Sequence, residues 1–156
     1  MSRVFNLRTM ALAPGDQAAP EGHRFTAWSP SRQLGAKLTG LGIYEVDPGQ
    51  STWPYHFELA EEEWLIVVSG QLTLRTPEGE RVLRSGDVAC FPAGPSGAHA
   101  VRNDGSEPAR FAMPSSVARY ADAAVYPDSG KFKLSGPGFH HRGRFGDEVP
   151  YWEGEA

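Results

Sequence analysis

The pattern of apolar and polar positions divides the chain into three parts. Between residue 37 and about residue 116, short stretches either alternate apolar with polar residues or consist of β-branched and aromatic residues. A period of two turns one face of a strand towards a core. Before residue 37 the strand-like stretches are shorter, and after about residue 116 the chain is rich in Gly, Pro and aromatic residues with little periodicity.

The middle part predicts a series of β-strands. They cover residues 37–46, 63–68, 71–75, 81–84, 88–91, 98–103 and 109–113. Turn sequences such as Asp47-Pro48-Gly49 separate them. Residues 59–63 have some helical character but are too few to form a stable helix. Because no helical stretch is long enough to connect parallel strands, the pattern predicts an all-β antiparallel sandwich or barrel.

Composition agrees with a folded protein that has many turns. The 156 residues include 18 Gly and 13 Pro, and 40% of the residues are hydrophobic, which is enough for a core. A chain of this length buries on the order of 70% of its unfolded surface as one domain. We therefore expect a single domain over residues 1–156, with a barrel core at about 38–116, an N-terminal arm at 1–37 and a C-terminal extension at 117–156.

The charges and the termini narrow the class of protein. The formal net charge is −4, Lys131 and Lys133 are the only lysines close together, and the arginines are scattered, so we expect no nucleic-acid partner. No apolar run approaches 18 residues, and the N-terminus lacks the apolar segment of a signal peptide. Cys90 is the only cysteine, which fits a reducing compartment. These features predict a cytoplasmic protein without a membrane partner.

Four residues in the predicted strands are candidate metal ligands. His56 and Glu58 are two positions apart on an extended segment, so their side chains point to the same face. Glu63 begins the next strand, and His99 follows a loop rich in Pro and Gly. Imidazoles and carboxylates together are suitable ligands for Zn, Mn, Fe or Ni.

A second interpretation needs no metal. Glu58, Glu61 and Glu62 would form a solvated acidic surface, and His56 and His99 would only cap the ends of strands. Neither the spacing nor the residue types exclude it.

Two motifs in this part resemble those of the cupin superfamily. The first is Gly49, five residues, Tyr55-His56-Phe57-Glu58, four residues, Glu63, six residues and Gly70. The second is Gly86, five residues, Pro92-Ala93-Gly94, then His99, three residues and Asn103. Both match the family in order, spacing and placement of glycine.

The resemblance implies a fold and a ligand set. The fold is a double-stranded β-helix, or jelly-roll barrel, and the implied metal ligands are His56, Glu63 and His99. The position of the family's remaining histidine holds Glu58, which would raise the negative charge of the site and favour harder divalent ions. The implied cofactor is therefore a divalent metal ion (Zn, Mn, Fe or Ni), and the implied assembly is a homodimer.

Several further residues carry expectations from their type and position. Trp64, Leu65, Val67, Leu72 and Leu74 are predicted core or sheet-packing residues, and Cys90 is predicted to be a buried small side chain. We expect the His140-His141 pair to be exposed, or to form an interface. Trp53 and Tyr55 either line the barrel mouth or lie on the surface. Tyr151 and Trp152 are predicted to dock onto the barrel or onto a second subunit.

Two functional hypotheses of different classes follow. The first is a metal-dependent enzyme, similar to a dioxygenase or a sugar isomerase, that acts on a small molecule. In it Glu62 is a candidate to move a proton. The second is a non-catalytic module whose pocket binds a small sugar or metabolite. The fold alone does not choose between them.

Overall fold

The structure, a computed structural model, describes residues 4–118, 120–146 and 148–155. Thirteen strands and one four-residue helix, α1 (Ser31–Leu34), lie within these residues. The strands are β1 (Ala13–Pro14), β2 (Thr26–Trp28), β3 (Thr39–Val46), β4 (Phe57–Glu58), β5 (Glu63–Ser69), β6 (Gln71–Thr76), β7 (Gly79–Arg84), β8 (Val88–Phe91), β9 (Ala100–Arg102), β10 (Ala109–Ser116), β11 (Asp122–Tyr126), β12 (Lys131–Gly136) and β13 (Phe139–Arg144). In the described part of the chain, no helix is long and apolar enough to cross a membrane.

The strands form three antiparallel sheets. The largest has the order β1-β2-β3-β10-β5-β8, the second has the order β13-β12-β11-β4, and the third has the order β7-β6-β9. The turn between β5 and β6 requires glycine: Gly70 has a φ of 78°, and a Cβ there would lie 2.7 Å from the carbonyl oxygen of Pro108. The predicted all-β barrel is confirmed.

The main core lies inside the barrel. The buried residues of this core are Val46, Leu65, Val67, Leu72, Leu74, Leu83, Phe91, Val101, Ala109, Phe111 and Met113. Four of the five predicted core residues are among them, but Trp64 is 42% exposed. Trp64 is not a core residue because Glu63 and Leu65 point inwards from β5, and alternation turns the residue between them outwards. Sheet packing, the alternative for Trp64, stays a prediction.

The N-terminal arm covers the outside of the largest sheet. Leu7, Met10, Leu12, Trp28 and Leu41 pack against the buried residues Ile43, Val68 and Ala112. The guanidinium group of Arg110 holds the arm in place by donating hydrogen bonds to the carbonyl oxygens of Leu7, Arg8 and Met10.

The C-terminal extension is a regular sheet, although its sequence shows little periodicity. Strands β11, β12 and β13 follow one another as an antiparallel meander. Strand β11 also pairs with β4, with Ala124 opposite Glu58 and Val125 opposite Phe57. The extension is therefore joined directly to the strand that carries the predicted ligand Glu58.

Exposure differs from the sequence prediction at two places. Tyr151 and Trp152 do not dock onto the barrel: they are 84% and 75% exposed, and their rings contact each other edge to face at 4.6 Å. Docking onto a second subunit, the alternative for this pair, stays a prediction. Cys90 is exposed rather than buried, because it pairs with the outward-facing Trp64. His140 and His141 are exposed, which is one of the two outcomes predicted for this pair.

Candidate metal centre

The two candidate histidines lie opposite each other on neighbouring extended segments. The backbone N–H of each donates a hydrogen bond to the carbonyl oxygen of the other, at 3.1 Å from His56 and 2.8 Å from His99. Their ring centroids are 4.8 Å apart. Residues directly opposite each other on antiparallel segments project to the same face, so the backbone itself brings both imidazoles together.

The loop before His99 has a conformation that depends on glycine. It contains a single 3-10 turn at Pro95–Gly97, and the turn is preceded by Gly94 with a φ of 94°. A Cβ on Gly97 would collide with the carbonyl group of Pro92. The N–H of Gly94 also donates to the carbonyl oxygen of Glu58 at 2.7 Å. The loop is thereby fixed to β4, and it delivers His99 to the same place as His56.

Backbone carbonyls determine which nitrogen of each imidazole faces the site. His56 Nδ1 lies 2.9 Å from the carbonyl oxygen of Pro54, and His99 Nδ1 lies 3.0 Å from that of Gly97. A carbonyl oxygen only accepts, so each Nδ1 carries the proton and each Nε2 presents a lone pair. Metal-binding histidines are usually oriented in this way by a second hydrogen bond.

Glu63 completes a group of three possible ligands. One ligand atom from each of His56, Glu63 and His99 lies within 4.8 Å of the others. Glu63 Oε2 is 3.6 Å from His99 Nε2, and both atoms are buried without a hydrogen-bond partner among the described residues. Two ligands of a tetrahedral ion, bound at about 2.1 Å, lie about 3.4 Å apart. The unpartnered atoms therefore fit a cation between them.

Burial keeps the two imidazoles in the neutral form that binds metals, and it acts on Glu63 in the opposite sense. Burial, together with the nearby His56, lowers the pKa of His99 to about 4, and burial also lowers the pKa of His56. Both rings are consequently neutral at pH 7 and able to act as ligands. Burial, with the negative charges of Glu61 and Asp122, raises the pKa of Glu63 to about 7. Without a cation, the contact between Glu63 and His99 is therefore not an ion pair.

Glu58 lies beside this group, on the face predicted from strand alternation. Its Oε1 is 3.8 Å from His56 Nε2, but Glu58 is not within the 4.8 Å group of three. Burial, a hydrogen bond with the carboxyl group of Asp122 and the charges around it raise the pKa of Glu58 to about 9. The carboxyl group of Glu58 thus lies between His56 and Asp122 and is close to both.

The C-terminal sheet supplies residues that the sequence analysis did not assign to the site. The ring of Tyr126 stacks on His56 at 5.6 Å, and Asp122 accepts a hydrogen bond from the N–H of Ala60 at 2.7 Å. Burial raises the pKa values of Glu58 and Glu63, and the positive charge of the nearby Lys133 partly opposes this rise. The only signal for these residues was the run Ala123-Ala124-Val125-Tyr126, which is typical of a strand.

Other predicted residues lie away from the centre. Glu62 is exposed, because it precedes the inward-facing Glu63, so its side chain is not placed to move a proton at the site. Trp53 packs against the core beside Phe25 and Tyr44. The ring of Tyr55 lies under the guanidinium group of Arg75 at 3.9 Å.

Comparisons with known proteins agree with this fold. A crystal structure of a proposed sugar phosphate isomerase from Acidithiobacillus ferrooxidans superposes with a TM-score of 0.79, 22% identity and 90% coverage of both chains. A sugar phosphate isomerase of the cupin superfamily from Silicibacter pomeroyi superposes with a TM-score of 0.78, 21% identity, and coverage of 90% of this chain and 92% of that one. The oxalate decarboxylase of Bacillus subtilis, which has Mn(II) centres, matches with a TM-score of 0.52 and 24% identity over 67% of this chain and 28% of its own.

The sequence itself identifies the type of domain. No curated protein sequence matches the chain, and the structural relatives above, at 21–24% identity, show the fold alone. A sequence model of the Cupin domain, however, matches residues 42–114, which span both motifs and the three grouped ligands. Residues 42–114 are therefore a cupin domain.

Proposed function

We propose that His56, Glu63 and His99 hold a divalent metal ion and that Glu58 is its fourth protein ligand. Glu58 joins the set when its carboxylate turns from Asp122 towards His56 Nε2, which is 3.8 Å away. Two carboxylates with two imidazoles favour a harder ion such as Mn²⁺ over softer ones. Mn(II) centres also occur in the oxalate decarboxylase with which the chain shares its fold.

One observation supports this proposal most strongly. Glu63 Oε2 and His99 Nε2 are buried, face each other at 3.6 Å and have no hydrogen-bond donor among the residues that the structure describes. Buried acceptors without a donor are costly, and a cation between them removes that cost.

We further propose that the centre belongs to an enzyme of the sugar-isomerase type. Two structures that superpose on nine-tenths of the chain are named as sugar phosphate isomerases, and this supports the choice. A bound divalent ion supplies a Lewis acid that polarises a carbonyl or hydroxyl oxygen of the substrate. The chain's own residues orient the ligands: Tyr126 stacks on His56, and Phe91 stacks on His99 at 3.8 Å. Stacking on both rings limits their motion and excludes water from one side of each.

Metal analysis tests the centre. Protein purified without chelators and then exposed to Mn²⁺ should hold about one equivalent, and His99→Ala should reduce the affinity by at least about tenfold. His141→Ala is the matched control, because His141 is exposed on the C-terminal sheet. Less than about a tenth of an equivalent, with no uptake on reconstitution, would overturn the proposed centre.

Proton exchange tests catalysis. An isomerase moves a proton next to a carbonyl group, so incubation with aldose phosphates in heavy water should place deuterium on the substrate, as measured by NMR. The Mn²⁺-loaded protein should catalyse this exchange, and His99→Ala should not. Saturable binding of a sugar without exchange would instead identify the non-catalytic binding module.

A further inference from the structure

The C-terminal hairpin gathers basic side chains that are separated in the sequence. Across β12 and β13, Lys131 lies opposite Arg144, and Lys133 lies opposite Arg142. Directly opposed residues of an antiparallel pair share a face. Basic residues that are separated in the sequence therefore meet at this hairpin, where four cations lie on one face of two strands.

This face is the one that continues from the candidate metal centre. Ala124 of β11 lies opposite Glu58 on one side and opposite Lys133 on the other. Glu58, Ala124, Lys133 and Arg142 thus form one row across four strands. At a spacing of about 4.8 Å between strands, the Lys133 Cα is about 10 Å from that of Glu58. Tyr126, which lies opposite Lys131 on this face, stacks on the ring of His56 at 5.6 Å, so the face reaches the centre.

The cations in the middle of this face lack an acidic partner. Lys133 and Arg142 form no ion pair within 4 Å with any residue in the described ranges, whereas Arg75, Arg102 and Arg110 are each paired with a carboxylate. Like charges directly opposite each other on adjacent strands are destabilising. A bound divalent ion would neutralise the nearby carboxylates and so remove the negative charge that otherwise faces Lys133.

The outer pair is already engaged. Lys131 Nζ lies 5.6 Å from the centroid of the Tyr126 ring, and the guanidinium group of Arg144 donates to the carbonyl oxygen of Ser129 at 2.6 Å. The central pair, half-buried Lys133 and exposed Arg142, is therefore the one available to a ligand.

We propose that Lys133 and Arg142 form a phosphate-binding subsite for the substrate whose reacting end lies at the candidate metal centre. This inference rests on the proposed function, because it assigns the two ends of one small molecule to two places on one face. A phosphate monoester carries close to two negative charges, and an arginine binds its oxygens through two parallel hydrogen bonds while a lysine adds a point charge. The substrate class is thereby a small phosphorylated polyol or sugar.

Inorganic phosphate tests the subsite without the metal. Calorimetric titration of chelator-stripped protein removes any binding of phosphate to the ion itself. Lys133→Met and Arg142→Gln should each weaken phosphate binding by at least about tenfold, as expected for loss of a charge-assisted contact. The matched controls Lys37→Met and Arg81→Gln remove exposed cations elsewhere and should stay within about twofold of the parent. Lys133→Arg, which keeps the charge, should restore most of the binding.

The outcomes separate this inference from the proposed function. Mn²⁺ titrations of the same variants should show unchanged or tighter metal binding, because removing a nearby positive charge does not oppose a cation. If Mn²⁺ binds but phosphate does not, the subsite is overturned and the metal centre stands. The same conclusion follows if Mn²⁺ binds and Lys133→Met and Arg142→Gln both bind phosphate as tightly as the parent protein does. If phosphate binding depends on both residues but Mn²⁺ does not bind, the subsite stands and the metal centre fails. A single-stranded oligonucleotide that binds through the same residues more tightly than phosphate would overturn the assignment to a small molecule.

Discussion

The two candidate histidines are oriented by local backbone contacts. In each, Nδ1 contacts the carbonyl oxygen of the residue two positions earlier, Pro54 for His56 and Gly97 for His99. This arrangement leaves both Nε2 atoms facing the same space as Glu63. Preorganised ligands lose little conformational entropy when an ion binds, which supports the proposed metal centre.

Substitutions of Glu58 test its assignment as the fourth ligand. Glu58→Ala should weaken Mn²⁺ binding by about tenfold while leaving His56, Glu63 and His99 to bind. Glu58→His should retain metal binding and shift the preference towards softer ions such as Zn²⁺. Competitive titrations with the two ions measure both effects, and Glu62→Ala is the control because Glu62 is exposed. If both variants bind Mn²⁺ like the parent, the protein supplies three ligands only.

The buried ionisable groups predict how the stability of the metal-free protein depends on pH. Raised from an ordinary value of 4.5, the folded-state pKa is about 7 for Glu63 and about 9 for Glu58. Their protonated forms therefore favour the folded state, and this stability is lost as the pH rises through these values. The pKa of His99 is lowered from 6.5 to about 4. This residue therefore reduces the stability of the folded state only when the pH falls below about 6.5. With chelator present, the melting temperature should decrease between pH 6.5 and pH 9.

Two comparisons check this pH dependence. Glu58→Gln and Glu63→Gln should each flatten the decrease, because each removes one carboxyl group that must ionise. Saturating Mn²⁺ should also flatten or reverse it, since the ion binds the deprotonated carboxylates of the folded state. A melting temperature that is constant over this range in the metal-free parent would contradict the assigned pKa shifts.

At the level of elements, the site depends on how strands and loops meet. Strand β4 is only two residues long, yet it pairs with β11, and its Glu58 carbonyl accepts from Gly94 in the loop before His99. The C-terminal sheet and this loop therefore hold the ligand strand from two sides. Movement of either one would displace a ligand.

Gly97→Ala tests the role of the loop. The added Cβ would collide with the carbonyl group of Pro92, so the loop must shift and take His99 with it. We expect a loss of about 1–3 kcal/mol in the free energy of unfolding, together with weaker Mn²⁺ binding. Gly146→Ala is the matched control, because no atom lies within 4 Å of the Cβ position there. Unfolding in urea and Mn²⁺ titration measure the two effects, and equal behaviour of both variants would argue against this role.

At the scale of the whole molecule, several aromatic side chains at the C-terminal end are exposed. Phe139, Phe145, Tyr151 and Trp152 are each at least half exposed, and β13 lies at the edge of its sheet. Exposed apolar groups beside a free strand edge are typical of an interface. The homodimer implied by the family resemblance stays a prediction, and this end of the molecule is where we expect it to be tested.

Sedimentation velocity measures the assembly. The parent should sediment as a dimer, and the double variant Tyr151→Ser with Trp152→Ser should raise the dimer dissociation constant by at least about tenfold if these rings are buried between subunits. Val82→Ser changes an exposed apolar residue of β7 and is the control. A monomeric parent would contradict the dimer, and an unaffected dimer would place the interface elsewhere.

Much of the barrel and part of the site could be predicted from the sequence because they depend on neighbouring residues. The strand-like stretches at residues 37–46 and 63–68 correspond to β3 and β5, and Gly70 adopts a positive φ at the turn between β5 and β6. The spacing of two between His56 and Glu58 placed both on one face. These features follow from backbone sterics and the period of a strand, which act within a few residues.

The tertiary structure alone decided which distant residues meet. The contact between Glu63 and His99, the pairing of β11 with β4, and the alignment of Lys133 with Arg142 each join residues that no local pattern connects. The exposure of Trp64 and Cys90 likewise depended on which face of β5 and β8 turned towards the core. Strand pairing and register are settled by the burial of whole faces, which is a property of the complete sheet rather than of any one segment.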